Sequence, residues 1–194
     1  MRLKNQYCCI SIETDPTYVI GAPQSSRYNK TLNLGNYEAQ EFYKVLCVKI
    51  DLYVREYTMA IIGDGQSWDE DCAILEGTAL TILQGWQILQ VNVLTGELIK
   101  SAAIDSMGCN LGLYKIHDKY LIHGEIDITM LNSDFQKLWY FSGRDIFVAN
   151  SKTKAIEIKE DRICLNDFEG NYYELSFEGN EISYHPSSRE RKMK

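Results

Sequence analysis

One short pattern recurs three times between Leu80 and Phe177. Each copy has an apolar run, a tight polar turn, a run of alternating apolar and polar residues, a second turn with Gly or Asp, and an aromatic or aliphatic run. Short runs joined by tight turns are typical of strands linked by hairpins, and a repeated unit of this kind indicates repeated sheets. The sequence therefore predicts an all-β fold of antiparallel meander repeats over about 72–184. Its sheets would form a propeller-like or a β-sandwich arrangement, with little or no long helix.

The part of the chain before the repeats predicts further strands. The four candidate runs are Tyr7–Ile12, Thr17–Ile20, Val45–Tyr53 and Tyr57–Ile62. Alternation is clearest in the third run, where Val48 and Ile50 would lie on the buried face and Lys49 on the exposed one. The segment 21–35 is rich in Pro, Ser, Asn and Gly, so we expect a surface loop there.

Length and cysteine usage bound the class of protein. At 194 residues, one domain covering 1–194 is the expectation, and such a chain buries enough surface to fold without disulfides or metals. The first residues have no apolar core of signal-peptide length, and no apolar run is long enough to cross a bilayer. We therefore expect a cytoplasmic protein that does not enter a membrane, with its six cysteines reduced.

The charge of the chain limits its partners. The net charge is −7, which argues against nucleic acid, because phosphate binding needs a basic surface. An acidic surface instead favours a basic protein partner. We expect a protein partner and no nucleic acid.

The sequence contains no motif typical of a catalytic site. Three histidines are present, and only His123 has an acidic neighbour, Glu125, at the spacing that puts two side chains on one face of a strand. A metal site would need a third ligand from elsewhere, such as Asp127 or Asp118, and we predict no metal and no cofactor. The chain has no G-x-S-x-G turn and no CxxC pair. We therefore predict that the protein is not an enzyme.

Two clusters of acidic and aromatic residues are candidate binding surfaces, since aromatic side chains supply contact area and charges steer a partner. The first consists of Trp68, Asp69, Glu70 and Asp71. The second consists of Asp167, Phe168, Glu169, Tyr172, Tyr173 and Glu174. Carboxylates beside a tryptophan are also typical of carbohydrate sites, so the first cluster supports an alternative function, the binding or hydrolysis of a carbohydrate-type ligand.

The turn in the first copy of the repeat resembles a known family. The segment Val91–Leu98, with Thr95–Gly96 at its turn, is similar to the strand–turn–strand of quinoprotein-type β-propeller blades. Segments 130–139 and 165–175 are looser versions, in which Trp139 and Tyr173 correspond to the aromatic residue after the turn. The resemblance implies propeller-like sheets over about half of the chain.

A second resemblance concerns the last third of the chain. Segments 139–147 and 160–173 are similar to small bacterial all-β proteins, some of which are immunity proteins that neutralise a toxin. Together with the acidity and the lack of a catalytic motif, this suggests a non-enzymatic protein-binding domain, and specifically an immunity protein for a basic toxin. A structural repeat that self-associates is the third hypothesis.

Overall fold

The computed structural model describes residues 1–64, 71–148 and 153–187. In these ranges the chain forms seventeen β-strands and one short 3₁₀ helix, Pro23–Arg27. No helix in this part of the chain has the length and hydropathy to cross a membrane. The chain divides into two units, Met1–Ile104 and Asp105–Lys194, and each is described by itself. One domain for the whole chain stays a prediction.

The first unit begins with a five-stranded sheet in the order β1-β2-β4-β5-β3. Its strands are β1 (Arg2–Lys4), β2 (Cys9–Thr14), β3 (Lys30–Asn33), β4 (Lys44–Asp51) and β5 (Glu56–Gly63). All neighbours are antiparallel except β3, which pairs in parallel with β5. The predicted alternation in β4 is confirmed, because Val48 and Ile50 are buried while Lys49 is exposed.

Three four-stranded antiparallel meanders follow, so the prediction of repeated meander sheets is confirmed. This sheet topology is that of a propeller blade. The meander of the first unit has β6 (Ala73–Glu76), β7 (Ala79–Gln84), β8 (Gln87–Asn92) and β9 (Glu97–Ala103). The third sheet has β10 (Asn110–Ile116), β11 (Lys119–Gly124), β12 (Asp127–Leu131) and β13 (Lys137–Ser142). The fourth has β14 (Ile156–Ile158), β15 (Ile163–Asn166), β16 (Tyr172–Leu175) and β17 (Glu181–His185).

Each unit has its own apolar core between two sheets. In the first unit, Ile10, Val48 and Met59 of the five-stranded sheet pack with Ile82 and Leu89 of the meander. In the second, the core comprises residues of both meanders together with Phe147 from the connection between them; its members include Leu121, Met130, Ile163 and Leu175. Burial of these faces provides the main driving force for folding.

Two expectations for the N-terminal part were wrong. The segment 17–20 is not a strand; Tyr18 instead packs with Tyr28 and Val45 in a small aromatic cluster on the outer face of the first sheet. The segment 21–35 is not only a loop, because it contains the 3₁₀ helix and β3. Residues 17–29, which connect β2 to β3 and which we call the covering segment, bring Arg27 and Tyr28 over the sheet, where the candidate site lies.

Candidate functional site

The first predicted surface falls mainly outside the described residues. Trp68, Asp69 and Glu70 lie there, and only Asp71 is described, as an exposed residue of the turn before β6. Binding through this cluster stays a prediction.

The second predicted surface is divided between the interior and the surface. Asp167 is 1% exposed and Tyr173 is 2% exposed. The two Asp167 carboxylate oxygens accept hydrogen bonds from the Asn171 backbone N–H and from its Nδ2, both at 2.8 Å. The Tyr173 hydroxyl donates to Oδ2 of Asp167 at 3.0 Å and accepts from the Arg144 backbone N–H at 2.9 Å. These two residues therefore hold the turn between β15 and β16 from the inside.

The other four residues of this second surface reach solvent. Phe168 and Glu169 are exposed at the turn, while Tyr172 and Glu174 are half-buried on β16. The Tyr172 hydroxyl donates to Oε1 of Glu174 at 2.9 Å. Hydrogen bonds from Tyr172 and Ser183 hold the pKa of Glu174 below its usual range. The Glu174 side chain is therefore engaged with its own sheet, and a binding role for the exposed part of the cluster stays a prediction.

His123 of β11 belongs to the interior. Its Nε2 lies 2.7 Å from the carbonyl oxygen of Phe147, so the ring connects β11 to the segment that leads toward β14. Within the described residues, no three His, Cys, Asp or Glu side chains lie together as a metal ligand set.

The outer face of the first sheet carries a polar groove with a volume of about 630 Å³. Strand register explains its floor: Arg2 pairs with Ser11, Ser11 with Lys49, and Lys49 with Thr58, so the four residues form one row across β1, β2, β4 and β5. The next row on the same face contains Asp51 and Glu56, which also pair. We call this depression the sheet groove; its rim includes Arg27 and Asn29.

A buried carboxylate holds the covering segment at the rim of the sheet groove. Asp15 accepts hydrogen bonds from the Tyr28 hydroxyl at 2.5 Å and from the Thr17 hydroxyl at 2.8 Å, and it forms an ion pair with Arg27. Burial by itself would raise the pKa of Asp15, but hydrogen bonds from Tyr28, Arg27 and Thr17 outweigh it and hold the pKa well below its usual range. Burial also raises the pKa of Tyr28, and the neighbouring Asp15 raises it further. The Arg27 side chain is fixed by this network while remaining 51% exposed.

A second exposed feature of the first unit is the turn between β4 and β5. The Leu52 backbone N–H donates to the Arg55 carbonyl at 2.9 Å, so Tyr53 and Val54 form a two-residue hairpin loop. Tyr53 adopts a positive φ of 67°, which is uncommon for a bulky residue. Val54 is 91% exposed. A turn of this kind ordinarily carries Gly, Asn or Asp, so apolar residues at its tip are unusual.

Hydrogen bonds gather other exposed apolar residues around this hairpin. The Tyr53 hydroxyl donates to the Asn5 carbonyl at 2.8 Å, two residues before the exposed Tyr7. The Arg55 guanidinium donates to the carbonyl of the exposed Leu94 at 2.6 Å. We call the four residues Tyr7, Tyr53, Val54 and Leu94 the hairpin-end surface. Its surroundings carry mixed charges: Asp51, Glu56, Glu76 and Glu97 are exposed there, as are Lys4 and Arg55, and Lys30 is half-buried.

Sequence reasoning missed both features. Residues of the sheet groove come from four strands and a covering segment, and only the register brings them into one row. For the hairpin-end surface there was a local signal: Tyr53–Val54 stands between two strand patterns, where turn-forming residues are expected. Turn geometry does not favour two large apolar residues at these positions. Their presence therefore indicates that the exposed surface has a role of its own.

Comparison with known proteins gives structural similarity only. No protein-family model matches the chain, and no curated protein matches it. Among solved structures, BamB from Moraxella catarrhalis has a TM-score of 0.47 at 14% identity, over 82% of this chain and 52% of that chain. The computationally designed Ika8 protein has a TM-score of 0.48 at 12% identity, over 76% of this chain and 47% of that one.

A third solved structure, a europium-containing methanol dehydrogenase, has a TM-score of 0.47 at 12% identity, over 61% of this chain and 25% of that chain. The chain thus spans about half or less of the length of the three structures. Similarity at this level carries no inference about activity.

Proposed function

We propose that the chain is a non-enzymatic protein-binding domain and that it binds its partner through the hairpin-end surface. The observation that carries the proposal is the exposure of Val54 and Tyr53 at the tip of a hairpin whose position is fixed. Exposed aromatic and aliphatic side chains surrounded by polar groups are typical of the centre of a protein interface.

Rigidity of the hairpin supports this proposal. The Tyr53 hydroxyl is bonded to Asn5, and the Arg55 side chain to Leu94, so the tip is attached to two other connections of the first unit. A surface that is ordered before binding loses less conformational entropy when the partner docks. The hairpin therefore suits a specific contact better than a free loop would.

The partner we propose is a basic protein, and specifically a toxin that this chain neutralises as an immunity protein. Support comes from the net charge of −7, which attracts a basic molecule over distance, and from the resemblance of segments 139–147 and 160–173 to immunity-type proteins. Inhibition would then be steric, with the hairpin covering the cleft of the toxin. A cytoplasmic location belongs to the same proposal.

The experiment is an affinity capture from native lysate at low and at high salt, followed by binding measurements with the isolated partner. The expected partner is basic, binds stoichiometrically, and associates more slowly at high salt because screening weakens long-range attraction. Val54→Lys should weaken its binding by tenfold or more, on the order of what a central interface residue contributes.

The matched control for Val54→Lys is Phe42→Lys. Phe42 is also an exposed apolar residue of the first unit, at 77%, but it precedes β4, whereas Val54 follows that strand. Equal binding by wild type and Val54→Lys, with both proteins folded, would contradict the hairpin-end proposal. Capture of no basic protein at either salt concentration would contradict the toxin proposal.

The alternative function, binding or hydrolysis of a carbohydrate-type ligand, still rests on the sequence of the first cluster alone. It requires Trp68, Asp69, Glu70 and Asp71 to converge in a pocket, and the first three lie outside the described residues. Titration of the protein with oligosaccharides, followed through tryptophan fluorescence, tests it without reference to the protein partner.

A further inference from the structure

We propose that the sheet groove binds an oxyanion, the phosphate or carboxylate group of a small molecule, over the side chain of Ser11. The floor of the groove places Arg2 on one side of Ser11 and Lys49 on the other, through direct strand pairing. Residues that pair directly across strands lie about 5 Å apart, so both cations can contact a group that sits on Ser11. This proposal does not depend on the protein-binding function.

The sheet groove is lined by several cations although the chain as a whole is acidic. Acidic residues outnumber Lys and Arg by 27 to 20 in the whole sequence. Yet three cations line one groove: Arg2 and Lys49 lie in the same row of its floor, and Arg27 lies at its rim. A local cationic cluster on an acidic protein is an attractive site for a compact anion.

Hydrogen-bond donors remain available in the sheet groove. Within the described residues, the side-chain hydrogen bonds of Arg27 to Asp15 and, at 3.1 Å, to the Thr17 hydroxyl both use Nη2. Among these residues Nε and Nη1 therefore remain as donors, in a side chain that the Asp15 network holds in place. Ser11 adds a hydroxyl donor on the floor, where it is half-buried. Charge-assisted hydrogen bonds from such groups are the strongest available to an oxyanion.

The neighbouring row limits which anions fit. Asp51 and Glu56 pair across β4 and β5, two residues along the strands from Lys49 and Thr58, and Lys4 lies at the β1 end of the same row, opposite Cys9. Residues i and i+2 of a strand share a face about 7 Å apart, so a second negative group on the β4–β5 side of Ser11 would meet the two carboxylates. The ligand that fits on that side is therefore anionic at one end and neutral or cationic at the other. The volume of about 630 Å³ accommodates a small metabolite-sized molecule.

The experiment is a titration of ¹⁵N-labelled protein with inorganic phosphate at constant ionic strength, with chloride replaced as phosphate is added. The backbone amide signals of Ser11 and Lys49 should shift in a saturable manner. Lys49→Met and Arg2→Met should each raise the dissociation constant about tenfold, since each removes one charge-assisted contact. The dispersion of the spectrum shows in the same experiment that each variant is folded.

Two further variants separate a specific site from a general charge effect. Lys159→Met removes one exposed cation of the second unit and should leave the dissociation constant unchanged. Asp51→Asn should lower it a few-fold by removing a nearby negative charge while keeping an oxygen for the Tyr53 backbone N–H, which donates to Asp51 at 2.7 Å. The absence of saturable shifts, or an equal loss in Lys159→Met and Lys49→Met, would overturn the proposal.

Discussion

The hydroxyl of Tyr28 donates a 2.5 Å hydrogen bond to the buried carboxylate of Asp15, thirteen residues earlier in the chain. This bond attaches the covering segment to the rim of the sheet groove. It also joins two groups whose pKa values shift in opposite directions, that of Asp15 downward and that of Tyr28 upward.

Tyr28→Phe should lower the free energy of unfolding at pH 7 by about 1–3 kcal/mol, because the buried carboxylate loses a donor. Urea denaturation measures the change. The control is Tyr18→Phe, since Tyr18 is buried to the same degree and packs edge-on against Tyr28, with ring centroids 5.6 Å apart. Both substitutions keep the aromatic ring, so an equal effect in the two variants would mean that the hydrogen bond to Asp15 stabilises the fold no more than the Tyr18 hydroxyl does.

The low pKa of Asp15 also predicts a pH dependence. Because the folded pKa lies below the unfolded value of about 3.9, the stabilisation is complete above that value and is lost as the pH falls toward the folded pKa. Asp15→Asn should remove this part of the acid sensitivity. Unfolding midpoints measured from pH 6 down to pH 2 test it, and an unchanged acid slope in Asp15→Asn would contradict it.

Asp127 of β12 should behave in the opposite way. Burial raises its pKa, and its Oδ1 has no hydrogen-bond partner among the described residues. Its contribution to stability is therefore present below about pH 3.9 and is lost as the pH rises through the folded pKa. We expect Asp127→Asn to raise the free energy of unfolding at pH 7 by about 1 kcal/mol and to have a smaller effect in acid.

A matched variant for this test is Asp134→Asn, because Asp134 is exposed in the turn that follows the same strand, β12. It should change stability by less than about 0.5 kcal/mol at either pH. Destabilisation by Asp127→Asn at pH 7 would mean that the ionised carboxylate is needed where it lies.

Two glycines with positive φ should respond differently to substitution by alanine. Gly77, which precedes β7, has a φ of 58°, and Gly85, which follows it, has a φ of 59°. A Cβ at Gly77 would meet open space, whereas a Cβ at Gly85 would overlap with Oδ1 of Asp64. Asp64 accepts a hydrogen bond from the Trp86 backbone N–H at 2.7 Å, so its displacement would break that bond.

Gly77→Ala should therefore cost about 1–2 kcal/mol, the price of the left-handed conformation alone. Gly85→Ala should cost at least about 1 kcal/mol more, since the Asp64 contact is lost as well. Thermal unfolding of the two variants compares them directly. Similar losses would show that Asp64 moves aside without cost.

Asp167 provides a test of the second predicted surface. Asp167→Ala should lower the free energy of unfolding by about 3 kcal/mol, because Asn171 and Tyr173 lose their buried acceptor. Glu169→Ala, at the exposed position of the same turn, should change it by less than about 0.5 kcal/mol. If Asp167→Ala were fully stable but lost partner binding, Asp167 would have the surface role that its sequence pattern suggested.

The sequence predicts the repeated sheets well where turns carry recognisable residues. The Gly85 and Thr95–Gly96 turns separate β7, β8 and β9 as expected. The run 120–131 reads as one strand but is two, β11 and β12, with a turn at 125–126. Both strands are buried almost throughout, so the polar alternation that would mark their faces is missing.

Long-range pairing explains what the sequence could not predict about the site. The parallel pairing of β3 with β5 depends on contacts between residues about thirty positions apart, and no local pattern indicates it. The same holds for the row that joins Arg2 to Thr58 through Ser11 and Lys49. Of the features of the site, only the hairpin tip at Tyr53–Val54 could be recognised from neighbouring residues in the sequence.

The two edge strands of the five-stranded sheet affect whether the protein associates with itself at high concentration. Its outermost strands, β1 and β3, have three and four residues, while the inner strands β4 and β5 have eight each. A short outer strand offers few unpaired backbone groups to a neighbouring molecule, and both outer strands carry lysine. The long apolar strand β5 is thereby enclosed on both sides, so this sheet is protected from the strand-to-strand association that leads to fibres.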